Sequence, residues 1–285
     1  MNWFKKLSLV TLTSAMVLGS VSFAPAQKAE AAVSGKISIM GSSALLPLSK
    51  QAAIEFKKKN PKVSITASGS SSIAGPQSVR KGIAQIGACD WDATKSKGGF
   101  SGFSGLVAHK VAIIPFATIV HPGVSVDSLT KSQLQGIFSG KYTNWKQVGG
   151  KDLEITVVNR AFGSGTRVNY QEKALGNASF KKTKNYVEVK SSGDMATKVK
   201  STPGSIGYID LVYVKSGLKA LKFNGVSPTT SNVISGKYPV YGTGYYMTKG
   251  QPTGATKEFI KYVQSAKFQN GTLKKMKFIP ISAMR

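Results

Sequence analysis

Three short segments follow one pattern: a strand, then a turn of Gly, Ser or Thr, then a helix. They are Gly41-Ser42-Ser43-Ala44, Gly69-Ser70-Ser71-Ser72 and Gly163-Ser164-Gly165-Thr166. The first N–H groups of a helix lack partners inside it and carry partial positive charge. Glycine lets an anion approach them, and a Ser or Thr hydroxyl adds a further donor. Ser and Thr are also ordinary helix N-caps, so a single segment of this kind says little. Three in one chain point to an oxyanion coordinated from several sides, with plain capping as the alternative. Arg160 stands just before Gly163 and supplies a planar pair of donors, unless it is a surface arginine without a ligand.

Asp90, in Cys89-Asp90-Trp91-Asp92, is the one acid placed between an apolar run and an aromatic residue. A carboxylate in an anion site is useful only if the anion carries a proton. An ionised carboxylate can only accept, so it matches the O–H of hydrogen phosphate and repels sulfate, which has none. A site built on one required hydrogen bond discriminates strongly. The alternatives for Asp90 are a helix cap or a lysine partner. Asp92 is the weaker ligand candidate, and no acid or histidine nearby completes a metal shell around the pair.

The elements that must position these groups alternate. Strands are expected over residues 36–40, 63–67, 83–88, 111–120, 155–159, 186–189, 206–209 and 239–247. Helices are expected over 44–59, near Val79 and Arg80, over 131–138 behind a Thr130–Gln133 capping box, over 166–175 and 194–200, and around Phe259, Tyr262 and Val263. Residues 93–106, rich in Gly, Ser and Lys, read as an exposed loop. This alternation argues for parallel βαβ units in an α/β protein. Cys89 reads as a small buried residue, His109 and His121 as structural, and Tyr241, Tyr245 and Tyr246 as packing.

Composition narrows the function classes. The 285 residues carry 39 Lys plus Arg against 12 Asp plus Glu, a formal net charge of +27. Only Arg80, Arg160, Arg167 and Arg285 are arginines, the rest being lysine. Base-reading proteins lean on Arg, so nucleic acid is not expected as a partner, whereas a dispersed lysine field attracts any polyanion. With 1 Cys and 2 His, neither a disulfide framework nor a Cys- or His-rich metal site can form. No G-x-S-x-G elbow, Walker A loop or H-E-x-x-H helix can be written, so the chain does not read as an enzyme and no cofactor or metal is expected. An extracellular phosphatase, which needs a nucleophile or a metal cluster, ranks last.

Residues 1–31 read as a secretory leader: Lys5 and Lys6, an apolar run from Leu7 to Val21, and the Ala29-Glu30-Ala31 cleavage pattern. No Cys stands directly after the apolar run, so a lipid anchor on Cys is not expected. The protein is expected outside the cytoplasm, held at the cell surface by charge.

The chain resembles the phosphate-binding proteins of Pst-type ABC importers, within the periplasmic-binding-protein superfamily. The resemblance rests on GSSALLPL, GSSS, IGACDWD, LTKSQLQGIFSGKYTNWKQVGG, VNRAFGSGTR and PGSIGYID. It implies a two-lobed fold of type II character, each lobe a mixed sheet flanked by helices. Residues 33–116 with 244–285 would form one lobe and 117–243 the other, with the apolar crossings 111–120 and 239–247 as a two-strand hinge. It implies phosphate held in the cleft by Ser43, Ala44, Ser70 with Ser71 beside it, Asp90, Arg160, Ser164, Gly165 and Thr166. It also implies a membrane permease as partner and a monomer. Some relatives carry an acid between the arginine and the glycine of the third loop; this chain has Ala161-Phe162 there. An adhesin or binder of anionic wall polymers, with a weakened phosphate site, is the second reading. Loss of phosphate binding on Asp90→Ala, with surface attachment unchanged, separates the two.

Overall fold

Where a strand ends decides what the site can contain, because each parallel strand delivers its last residue to the same edge of the sheet. The structure, a computed structural model, describes residues 33–215 and 217–284, so the expected leader over 1–31 lies outside the described residues. The first half of the chain runs β1 (Gly35–Ser42), α1 (Leu46–Lys59), β2 (Val63–Ser70), α2 (Ala74–Arg80), β3 (Ile86–Cys89) and β4 (Leu106–Val120). Then come β5 (Ser128–Leu129), α3 (Lys131–Phe138), β6 (Thr156–Arg160), α4 (Gly165–Lys173), β7 (Tyr186–Val189), α5 (Ser192–Ser201) and β8 (Ser205–Asp210). The remainder is β9 (Lys219–Ala220), β10 (Lys222–Phe223), α6 (Thr230–Ile234), β11 (Tyr241–Lys249), α7 (Gly254–Gln264) and a short α8 (Ala266–Phe268) that leads into the last turns.

Local chemistry accounts for these spans. In α1, Leu48, Ala52 and Phe56 recur every fourth residue and are buried, Pro47 sits in the first turn, and Lys57 to Lys59 face the negative end of the helix dipole. The Thr130–Gln133 box forms as expected and starts α3: the Thr130 hydroxyl accepts from the Gln133 N–H, and the Gln133 side chain accepts from the Thr130 N–H. Leu134, Ile137 and Phe138 then bury one face of that helix.

The main sheet has nine strands in the order β2-β1-β3-β11-β4-β8-β6-β7, with β9 added alongside β4; β5 and β10 make a separate pair. β1 is parallel to β2 and β3, and β6 is parallel to β7 and β8. The expected mixed α/β architecture is present, but its strands form one continuous sheet rather than two. The reason is β4, whose residues 106–115 pair with β11 while Phe116 to Val120 pair with β8. This strand is half as long again as its apolar stretch suggested, because Leu106 to Lys110 also pair with β11 although only Leu106 of these is buried.

The core is continuous across this sheet and includes Phe116, Phe138, Trp145, Tyr170 and Tyr208. Tyr170 and Tyr208 stack with ring centroids 4.3 Å apart. The buried indole N–H of Trp145 donates to the Gly204 carbonyl at 2.8 Å, so this large side chain leaves no orphan donor.

The expected loop over 93–106 is irregular and mostly exposed as far as Gly105, but it is pinned at Ala93 and Phe103, which are buried. Phe100 joins Trp91, at 5.9 Å between centroids, to Phe162, at 4.6 Å. Lys97 pairs with Glu172 at 2.8 Å. The Gly, Ser and Lys content hides two aromatic anchors, Phe100 and Phe103, that tie the segment to the body of the protein.

Candidate oxyanion site

The parallel strands end at Ser42, Ser70, Cys89, Arg160, Val189 and Asp210. In open α/β sheets the region beyond the carboxyl ends of the strands, where strand order reverses, is where ligands bind. In this protein that edge gathers the candidate residues, and three helices start there: α1 after Ser43-Ala44, α4 at Gly165 and α5 at Ser192.

Asp90 is 1 % exposed and follows directly on β3. The Ser42 hydroxyl donates to its Oδ1 in a short contact, and the Thr166 hydroxyl donates to Oδ2 at 3.5 Å. The Asp90 N–H donates to Ser72 Oγ at 3.3 Å. Burial pushes the Asp90 carboxyl above its ordinary range, opposed by Ser42, by the Arg160 charge, and by Ser72 and Thr166.

Arg160 ends β6 and is 1 % exposed. Its Nη1 donates to Ser192 Oγ at 3.3 Å. Its Nη2 donates to Ser43 Oγ at 3.2 Å, to the Lys190 carbonyl at 3.0 Å and to the Ser70 carbonyl at 3.4 Å. The guanidinium thus bridges the ends of β1 and β2 to the start of α5. Burial draws its pKa down, while Tyr208, Asp90, Asp210 and Asp194 favour the charged form.

The remaining candidates fall around these two. The Ser192 N–H donates to Ser43 Oγ at 3.0 Å. Ala44 is buried and its N–H donates to Ser42 Oγ at 3.1 Å. Ser164 caps α4 by accepting from the Arg167 N–H at 3.3 Å, and Gly165 and Thr166 form the first turn. Gly165 is required by crowding: a Cβ there would overlap Ser72 Oγ and lie 2.6 Å from the Asp90 Cβ. Ser70 behaves differently. Its side chain is exposed and only its carbonyl faces the site, while Ser71 is half-buried and Ser72 carries the buried hydroxyl.

Sequence reasoning missed four participants besides Ser72. Ser42 holds Asp90, and Ser192 is held by Arg160. Asn169 Nδ2 donates to the carbonyls of Asp90 and Gly165, at 2.8 and 2.9 Å. Asp210 closes β8. Signals for two of them were present. Ser191-Ser192-Gly193 repeats the strand, Ser/Gly turn and helix pattern, and Asp210 ends an apolar strand as Asp90 does. Asp92 lies outside the site, accepting from the Thr94 N–H and hydroxyl, and Cys89 is buried. His109 bonds Thr248 Oγ1 at 2.8 Å, His121 Nδ1 accepts from the Gly123 N–H, and Tyr246 is a core residue bonded to Ser49.

The arrangement brings one guanidinium, helix-start amides and several hydroxyls to one buried point, with a carboxyl that can accept a proton. Residues 26–267 match the PBP superfamily domain. The chain is 36% identical over 259 residues to the phosphate-binding protein PstS of Bacillus subtilis, covering 90% of this chain and 85% of that one. It belongs to the PstS family. A PstS of Borreliella burgdorferi is 28% identical over 82% of this chain and 86% of that one. A Clostridium perfringens structure, described as a phosphate ABC transporter substrate-binding protein with bound phosphate, superimposes with a TM-score of 0.78. It is 32% identical and covers 87% of this chain and 100% of that chain. An ABC-type phosphate transport receptor from Vibrio cholerae superimposes at 0.66 with 27% identity, over 85% of this chain and 99% of that one. PstS membership and the mixed α/β fold agree with the sequence motifs quoted above.

Proposed function

We propose that this PstS-family chain captures inorganic phosphate outside the cytoplasm and delivers it to the permease of an ABC importer, without chemical conversion. The observation that carries this reading is Asp90: a buried acceptor set among donors, which suits an oxyanion that still holds a proton. Ser43, Ala44, Ser164, Gly165, Thr166 and Arg160 supply donors from two helix starts and a strand end; Ser72 takes the buried hydroxyl position that the sequence assigned to Ser70 or Ser71. Donors fixed in a water-poor pocket bind strongly because they need not reorganise.

The halves of the sheet on either side of Phe116 act as the two lobes in this reading, 33–116 with 244–285 against 117–243, with β4 and β11 as the hinge. Closure brings Ser43 of one half onto Arg160 and Ser192 of the other. The lysine-rich surface retains the protein at an anionic cell wall, so concentrated salt releases it from cells, and retention through such a wash counts against attachment by charge. Calorimetry of the purified protein with phosphate, sulfate and arsenate tests the main reading. Phosphate binds, arsenate follows because it shares shape and protonation, and sulfate is rejected. Equal binding of sulfate and phosphate overturns the role given to Asp90.

A further inference from the structure

β6 and β8 run parallel with Val157 opposite Ile206, so the two strands deliver Arg160 and Asp210 to the same edge. Asp210 is 0 % exposed, and neither of its carboxyl oxygens has a hydrogen-bond partner. Arg160 Nε, at the same edge, is also buried and without a partner. Among the buried residues described, Arg160 is the only cation, facing two acids, Asp90 and Asp210. An anion entering that pocket would meet one positive and two negative charges if both acids were ionised. A dry site does not sustain that balance, so one acid must hold a proton. Both oxygens of Asp90 already accept hydrogen bonds, which favours its ionised form. Asp210 receives none.

We propose that Asp210 is a specificity-determining residue of the anion site, present in the complex as a neutral acid that donates its O–H to the bound oxyanion. This gives a use to the carboxyl left without partners at this edge, and it rests on the phosphate reading of the site. The surroundings agree. Burial pushes the Asp210 carboxyl well above the ordinary carboxylate range and the Asp90 charge adds to this; its own backbone N–H and the Ser192 hydroxyl, both outside hydrogen-bond geometry, and the Arg160 charge oppose it. No other acid or base competes for the role. On β4 its partner is Phe116, the Tyr170 hydroxyl of α4 bonds Thr118, and the Asp194 carboxylate of α5 accepts from the Ser191 N–H. Tyr213, in the turn after β8, donates to the Ser43 carbonyl.

The consequence is a proton linked to the anion. If the complex keeps a proton on Asp210, raising the pH removes that proton from the free protein and weakens binding; Asn at this position keeps a donor and an acceptor but does not titrate. Calorimetry with inorganic phosphate is run on the wild type and on Asp210→Asn from about pH 6 to about pH 9. The wild-type Kd divided by the variant Kd rises by about tenfold or more over that range. A constant ratio overturns the proposal.

An infrared difference spectrum of the wild-type phosphate complex shows a protonated-carboxyl C=O band that Asp210→Asn lacks; no such band in the wild type, or the same band in the variant, overturns it. The wild-type spectrum alone decides the matter if the variant does not fold. Should the wild type bind no phosphate, the functional reading falls separately, and ligand-free melting still tests the acid. Asp210→Asn melts higher than the wild type near pH 8, and the gain shrinks toward about pH 4, where the unfolded acid also becomes protonated. An unchanged melting point at both pH values sinks the buried-acid assignment.

Discussion

The two sides of the site differ in how completely their polar atoms are matched. On the side of β1 and β3, both oxygens of Asp90 accept from hydroxyls, its N–H is bonded to Ser72, and Ser42 Oγ accepts from the Ala44 and Leu45 N–H groups. On the side of β6 and β8, Asn159 Nδ2, Arg160 Nε and both oxygens of Asp210 lack partners. Buried polar groups without partners are rare because each forfeits its hydration for nothing. The matched side is held in shape by its own hydrogen bonds. The unmatched side keeps donors and acceptors in reserve, which is what a pocket completed by its guest needs.

The comparison is broken most severely at Arg160. Arg160→Ala leaves the buried Asp90 carboxylate with no counter-charge, at a cost of about 3–5 kcal/mol, and phosphate binding falls below detection in calorimetry. Arg160→Lys does not restore it, because a single ammonium cannot span the contacts to Ser43, Ser192, Ser70 and Lys190 that the planar fork makes. Phosphate binding retained at near wild-type strength in the alanine variant would remove the guanidinium from the site.

The next effect lies on the matched side. Asp90→Asn keeps the volume and one acceptor oxygen but offers an N–H₂ where the ligand O–H should be received. The preference for phosphate over sulfate should fall by about a hundredfold, about 2.7 kcal/mol, measured as the ratio of the two Kd values. An unchanged ratio would mean that another group reads the proton.

The smallest effect separates two neighbouring serines. Ser72→Ala removes the buried acceptor of the Asp90 N–H and should weaken phosphate binding by about 1–2 kcal/mol, whereas Ser70→Ala removes an exposed hydroxyl and should change it by under about 0.5 kcal/mol. The reverse order would return Ser70 to the position that the sequence gave it.

The legible parts of the fold were those with local causes. The span of α3 follows from its capping box, and the strand Tyr186–Val189 from its alternation. The join of the sheet at β4 was not legible, because nothing in Leu106 to Val120 states which neighbour each half will meet. The aromatic anchors in 93–105 were obscured by their Gly, Ser and Lys neighbours. In the site, the glycine-rich turns and Arg160 stood out by composition. Ser192 and Asn169 did not, since each is an ordinary polar residue until the chain folds another segment against it. The exposure of Ser70 and burial of Ser72 turn on where β2 ends and α2 begins, a boundary that residue types leave open by a position or two.

The aromatic ladder has a practical consequence. Trp91 follows Asp90 directly, is nearly fully enclosed, and is stacked on Phe100, which in turn touches Phe162, 67 % exposed, beside the third glycine turn. Any shift between the 93–105 segment and α4 changes the surroundings of that indole. The molecule therefore carries its own fluorophore next to the proposed point of capture, and emission titrations can follow occupancy in real time without an attached dye.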